Sequence, residues 1–148
     1  MLTQAKPEDA AALNRLIEVA FVPYVQVLGR EWPGPYPWLP DAIAAGRVLW
    51  VEDRAGCVVI NRDDDSLVIE QIAIDPDHQG RGTGRRAMDA LEALARKVGF
   101  KEMTLYTAQL HTDLVAFYSS LGFRVTDIRP PASGKDDVPR IHMTKPLV

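Results

Sequence analysis

The chain has 148 residues, 47% of them hydrophobic and 25% charged, with a net charge of −3. That length suits a single domain over 1–148 with its own core, and so weak a charge creates no global field to gather nucleic acid. The charged start MLTQAKPEDAAALNRL lacks the apolar run of a leader, no stretch approaches the roughly 20 apolar residues of a membrane span, and the lone Cys57 fits a reducing compartment; a cytoplasmic protein without a nucleic-acid or membrane partner is expected.

Leu2 to Ala5 reads as a short first strand. Pro7-Glu8-Asp9 then suits a helix start, because proline fits the first helical position and acids fit the positive end of the dipole. Leu13, Leu16, Ile17 and Ala20 follow at helical spacing and predict the buried face. From Val22 to Pro40 five prolines and two glycines argue against a long regular element. Its aromatics Tyr24, Trp32, Tyr36 and Trp38 either pin a loop to the core or wall a substrate pocket. Tyr24, Trp32 and Tyr36 are the candidate acceptor-binding residues, through apolar or cation–π contact.

Asp41 to Gly46 predicts one or two helical turns, and Val48 to Glu52 a strand. After a turn at Arg54 to Gly56, Cys57 to Ile60 predicts the next strand, and Arg62 to Asp65 a solvated hairpin turn. Its three aspartates lack the partnered ligands of a metal loop, and the histidines have no metal-ligand spacing; no metal is expected. LVIEQIAI, Leu67 to Ile74, reads as a central strand. Beyond Gly82 the period becomes helical, with Ala87, Leu91, Leu94, Ala95 and Val98 on one face and Gly99 as the stop. Glu102 to Thr107 predicts a strand, Leu114 to Leu121 a short helix closed by Gly122, and Phe123 to Ile128 and Val138 to Thr144 two last strands around a loop at Pro130 to Asp137.

Between the central strand and the long helix lies DHQGRGTGRR, Asp77 to Arg86. A helix start exposes unpartnered N–H groups and partial positive charge, and glycines let backbone approach an anion closely, so the pattern suits a phosphate cradle. Arg85 and Arg86 oppose the helix dipole, which a bound anion would relieve; alternatively both extend into water. The Walker pattern is absent. Gly82, Gly84 and Ala87 satisfy the dinucleotide fingerprint, but its first glycine should follow the strand at once, and here Asp75 to Gln79 intervene. A nucleic-acid patch is opposed by Asp75, Asp77 and Asp89, which flank the arginines.

Together these residues resemble the GNAT family of N-acetyltransferases. Gln79, Gly82 and Gly84, after Ile72-Ala73-Ile74-Asp75-Pro76, match its (Q/R)-x-x-G-x-(G/A) signature, and AFYSSLGF, Ala116 to Phe123, matches its second hallmark. The resemblance implies an α/β sandwich with a mixed, mostly antiparallel sheet and helices on both faces. It implies that the strand ending at Ile74 and the strand Glu102 to Thr107 are parallel neighbours that splay apart to admit acetyl-CoA. Gln79, Gly80, Arg81, Gly82, Thr83, Gly84 and Arg85 would meet the pyrophosphate, and Ile72, Ala73 and Ile74 the pantetheine arm.

The implied activity is transfer of an acetyl group to a primary amine of a small molecule or a protein, by direct attack in a ternary complex. The alternative is a non-catalytic acyl-CoA-binding module. Tyr118 matches the family tyrosine that donates a proton to the leaving thiolate. Glu70, inside an apolar strand, is the candidate base; strand alternation puts it on the face of Val68, Ile72 and Ile74, where partial burial would suit it to take a proton near neutral pH, although it could instead reach solvent or an ion pair. The family asparagine expected between Thr107 and Tyr118 is missing, and Gln109, His111 or Asp113 are its candidate substitutes. Family members often pair as homodimers, which the resemblance leaves open for this chain.

Overall fold

A computed structural model describes residues 1–29, 34–131 and 136–148. Their order is β1 (Leu2–Gln4), α1 (Ala10–Val27), α2 (Leu39–Ala44), β2 (Val48–Val51), β3 (Gly56–Asp63), β4 (Ser66–Ile74), α3 (Thr83–Val98), β5 (Glu102–Ala108), α4 (Thr112–Ser120), β6 (Arg124–Arg129) and β7 (Arg140–Pro146). The strands form one seven-stranded sheet in the order β1-β2-β3-β4-β5-β7-β6. β4 and β5 run parallel, and every other neighbouring pair is antiparallel. This is the mixed, mostly antiparallel sheet that the sequence led one to expect.

Alternation along the strands sends side chains to two cores. Val51, Val58, Leu67 and Ile69 meet Ala87, Met88, Leu91 and Ala95 of α3 on one face. Val48, Trp50, Cys57 and Val59 meet Leu13, Ile17, Leu39 and Ile43 from α1 and α2 on the other. Burying these faces against water is the main drive for assembling the layers.

Three local expectations fail, each for a physical reason. Helix α1 does not stop near Val22 but runs through Pro23 to Val27. Pro23 is exposed, so the carbonyl that loses its helical donor lies on the solvent side, where water satisfies it. Strand β3 continues past Ile60 to Asp63, pairing Arg62 with Leu67 and Asp63 with Ser66; the hairpin turn narrows to Asp64 and Asp65, with Asp64 at φ 51°. Val98 is exposed and Met88 buried. Gly99, at φ 100°, ends α3; the Gly99 and Phe100 N–H groups both donate to the Ala95 carbonyl, and Phe100 packs on the core where Val98 was expected.

Two features of β4 position the site. First, β3 and β4 pair Val59 with Gln71 but Ile60 with Ile69, leaving Glu70 as an extra bulged residue. A bulge resets alternation: Ile72 joins Leu67 and Ile69 on the α3 side, and Ala73 joins the α1 side. The expected common face of Glu70, Val68, Ile72 and Ile74 is therefore broken. Second, β4 and β5 pair only at Ser66–Glu102, Leu67–Met103 and Val68–Thr104. Beyond that row β4 stays with β3 as far as Ile74 opposite Gly56, and β5 stays with β7 as far as Ala108 opposite Arg140. The two strands open into a V, as the resemblance implied.

Candidate functional site

The V forms the floor of a cleft of about 640 Å³. Ile69 to Ile74 and Leu105 to Ala108 line its strands, Phe21 and Tyr24 its α1 wall, and Phe117 and Tyr118 its α4 wall. One end meets the turn before α3.

That turn is built locally. The Asp75 carboxylate accepts the Asp77 N–H at 2.9 Å, the Gln79 side-chain amide donates to the Ile74 carbonyl at 3.1 Å, and the Thr83 hydroxyl donates to the His78 carbonyl at 3.2 Å. Gly80 and Gly82 sit at φ 75° and 77°, a left-handed backbone that only glycine adopts without cost. No side chain caps α3, so its first N–H groups keep their donor capacity and their share of the helix dipole.

Of the ten cofactor residues expected from the sequence, Ile72, Ala73, Ile74, Gln79, Gly80, Gly82, Thr83, Gly84 and Arg85 line this cleft. Arg81 does not; it is exposed, and its carbonyl accepts Arg86 Nη1 at 2.8 Å. The two arginines of the first helical turn divide their work, and neither simply extends into water. Arg85 reaches the Ser120 hydroxyl on α4 at 3.1 Å. Arg86 turns away to grip both oxygens of Glu52 at 2.6 and 3.2 Å, and its hydrogen bond holds the Glu52 carboxyl below the usual range. The Glu52 carboxylate offsets the misplaced charge of Arg86.

Tyr118 is 6% exposed. Its ring tilts against Phe117 at 5.3 Å and meets Phe123 edge-on at 5.9 Å. Burial, and to a smaller degree the nearby Tyr24, push its phenol well above the ordinary value, so it holds its proton at neutral pH. Tyr24 lies in the same cleft, also pushed up by burial and then by the negative charge of Asp113. His111, buried at the start of α4, meets the Tyr24 ring edge-on at 5.0 Å. Its Nε2 lies 3.1 Å from the Tyr24 carbonyl; a carbonyl only accepts, so that nitrogen carries the hydrogen. His111 and Asp113 thus occupy the stretch without the family asparagine and tie α4 to α1.

Glu70 lines the cleft, and of the alternatives left open for it an ion pair is the one formed. Its side chain is 41% exposed and pairs with Arg47 at 2.6 Å. Tyr36 does not line this cleft; it stacks on Trp38 at 4.9 Å and receives support from Asn14, whose side-chain oxygen accepts its N–H at 3.1 Å. Trp32 lies outside the described residues. Sequence reading missed Gln71, which strict alternation would put on the face opposite Glu70. The bulge brings it to the cleft, where its buried Oε1 has no hydrogen-bond partner among the described residues. No spacing rule foretells a bulge, so no signal pointed to it.

Residues 13–123 match the sequence profile of the acetyltransferase (GNAT) family. Mouse (Mus musculus) N-alpha-acetyltransferase 80 is 40% identical over 60 residues, 40% of this chain and 18% of that protein. The ribosomal protein bS18-alanine N-acetyltransferase of Escherichia coli K12 is 32% identical over 77 residues, 49% of this chain and 52% of that protein. The chain thus spans about half, or less, of the length of the curated relatives it matches. The crystal structure of PaiA N-acetyltransferase from Thermoplasma acidophilum in complex with coenzyme A matches with a TM-score of 0.75 at 16% identity, over 99% of this chain and 98% of that one; a likeness at that identity is one of fold.

Proposed function

The chain belongs to the GNAT family of acetyltransferases, and from that premise we propose that it moves an acetyl group from acetyl-CoA to a primary amine by direct attack in a ternary complex, with residues 1–148 as one acetyltransferase domain. The observation that carries this reading is the V between β4 and β5, which leads straight to the uncapped start of α3.

The residues present fit acetyl-CoA. Gly80 and Gly82 and the free N–H groups of α3 suit a pyrophosphate, with Arg85 alongside. Beyond Val68 the β4 backbone groups that would face β5 have no strand partner, so the backbone of Ile72 and the N–H of Ile74 suit an extended amide-bearing arm, with Ala73 between them turned toward β3. The orphaned Gln71 Oε1 suits a ligand N–H, since a buried unpaired carbonyl costs about 1–3 kcal/mol until it is met.

Acetyl-CoA supplies an activated acyl thioester. The chain's residues do the rest. β4 N–H groups that face the opening beyond Val68 polarise the carbonyl, Glu70 receives the amine proton directly or through water, and Tyr118 holds a proton ready for the leaving thiolate. Tyr24 and Phe21 wall the acceptor side. The acceptor is a small-molecule amine or a protein amine; the relatives named for acetylating a ribosomal-protein alanine or for N-alpha-acetylation favour including peptide N-termini among the first amines assayed. The buried thiol of Cys57 fits a cytoplasmic setting, and among the described residues no helix is long and apolar enough to cross a membrane. No observation favours the non-catalytic binding module.

Thermal unfolding with acetyl-CoA, CoA, NAD and ATP in turn tests the cradle. A ligand at 100 times its Kd adds about 2.7 kcal/mol. Stabilisation by CoA species alone, followed by amine-dependent thiol release from acetyl-CoA, is the expected result. Stabilisation by NAD or ATP instead, or by none, overturns the reading.

A further inference from the structure

Glu70 is the extra residue of the β3–β4 bulge, so no ladder pairing fixes its place. What fixes it comes from two strands away. Arg47, just before β2, stands opposite Ile60 at the end of the β2–β3 ladder, and its carbonyl accepts the Ile60 N–H at 2.9 Å. In a regular antiparallel pair its own N–H would return a bond to the Ile60 carbonyl. Here that N–H donates to the Ala42 carbonyl at 2.9 Å instead. The guanidinium takes over: Nη1 donates to the Ile60 carbonyl at 3.0 Å and to Glu70 Oε1 at 2.6 Å. A terminal guanidinium nitrogen has two hydrogens, and both are used.

Arg47, Ile60 and the bulge therefore share one row across the sheet. The Arg47 side chain is 29% exposed, and it does not line the cleft. A contact to an exposed carboxylate adds little to stability, so an Arg reaching across two strands for that purpose alone would be poorly explained by folding energetics. It does hold the cleft's bulged carboxylate in one place, braced against the backbone that defines the bulge.

We propose that Arg47 is a positioning residue of the acetyl transfer, acting through Glu70 by clamping it to the Ile60 carbonyl. The inference rests on the acetyltransferase reading of the cleft. Arg47 touches neither acceptor nor acetyl-CoA; it sets where Glu70 meets the amine.

The test is a double-mutant cycle on the full chain, using acetyl-CoA, an amine that supports turnover, and thermal unfolding as a control. Glu70→Gln and Arg47→Gln are each expected to lower kcat at least tenfold, with the KM for acetyl-CoA changed less than threefold. In the Glu70→Gln background, Arg47→Gln is expected to lower kcat no further. Arg47→Lys, which keeps the charge but loses the fork, is expected to recover part of the rate. An Arg47→Gln loss that persists undiminished in the Glu70→Gln background would mean that Arg47 serves the backbone only and would overturn the inference. So would a Glu70→Gln enzyme with the wild-type kcat. A wild type that releases no thiol with any amine would instead overturn the activity reading, and this inference with it.

Discussion

Removal of one oxygen at Tyr118 isolates the proton-donor role. Tyr118→Phe keeps the ring that packs on Phe117 and Phe123, so the wall of the cleft survives and stability should change by no more than about 1 kcal/mol. General acid catalysis is worth roughly 10²–10⁴ in rate. Two facts place this site at the low end. Burial makes the phenol a weaker acid than usual, and the thiolate it would protonate is conjugate to a thiol of pKa about 8.5, already a fair leaving group. The expected loss in kcat is about 10²-fold, or roughly 2.7 kcal/mol, with the KM for acetyl-CoA little changed. Steady-state thiol release across pH 6–9 is the assay. A raised value keeps the phenol protonated over that whole range, so Tyr118 should contribute no alkaline limb there. The stability linkage has the same sign: its contribution is complete below the phenol's ordinary value near 10 and is lost only as pH rises through the raised value. A kcat within threefold of wild type would refute the donor role, and an alkaline limb in this range that vanishes in Tyr118→Phe would refute the raised value instead.

Gly56→Ala should destabilise by about 2 kcal/mol and weaken CoA binding, because its Cβ would sit 2.5 Å from the Ala73 carbonyl oxygen and 2.7 Å from Ile74 Cδ1; thermal unfolding and CoA titration check both. Gly82→Ala, at φ 77°, should cost about 1–2 kcal/mol, whereas a Cβ at Gly84 meets Phe117 and Ile74 at ordinary distances of 3.6 and 3.9 Å, so Gly84→Ala should leave the unliganded melting temperature unchanged or raised. The Asp9 carboxyl is held below its usual value by the Trp50 indole N–H, then by the Lys6 N–H and Arg54; its stabilisation is present above the ordinary carboxylate value near 3.9 and fades as pH falls through the lowered one. Asp9→Asn should therefore flatten acid unfolding below about pH 4, as circular dichroism across an acid titration would show. Burial pushes the Cys57 thiol up to about 12, so a thiol reagent at pH 8 should modify it only as fast as the protein opens, and urea should accelerate the reaction.

The end of the cleft beside α3 was legible because it is local. The α3 stripe, the glycines before it and the short helix bearing Tyr118 each occupy a few consecutive positions, where spacing translates directly into a face or a turn. A strand, a helix and a second strand in that order suit the parallel pairing of β4 and β5, whereas their splay was implied only by the family resemblance. The end beside α1 was less legible because it is assembled from distant pieces. Nothing near Pro23 reveals that its missing hydrogen bond falls on the solvent side, so α1 was ended too early and Tyr24 was assigned to a loop. Nothing near His111 reveals its contact with Tyr24.

Glu70 shows the limit most sharply. The sequence offers a carboxylate in an apolar strand, and period-two alternation is the only rule available for orienting it. Beyond one bulge that rule returns the wrong face for every following residue, and Ile72 and Ala73 change sides accordingly. The bulge depends on what stands across the sheet. With the Arg47 N–H diverted to Ala42, its guanidinium is left to serve both Ile60 and Glu70. The irregularity that defeats the sequence rule thus brings Glu70 and Gln71 together at the cleft, beside the backbone that the V leaves unpaired. If Glu70 takes the amine proton, its reach is set by that row of contacts and not by the residues beside it in the chain.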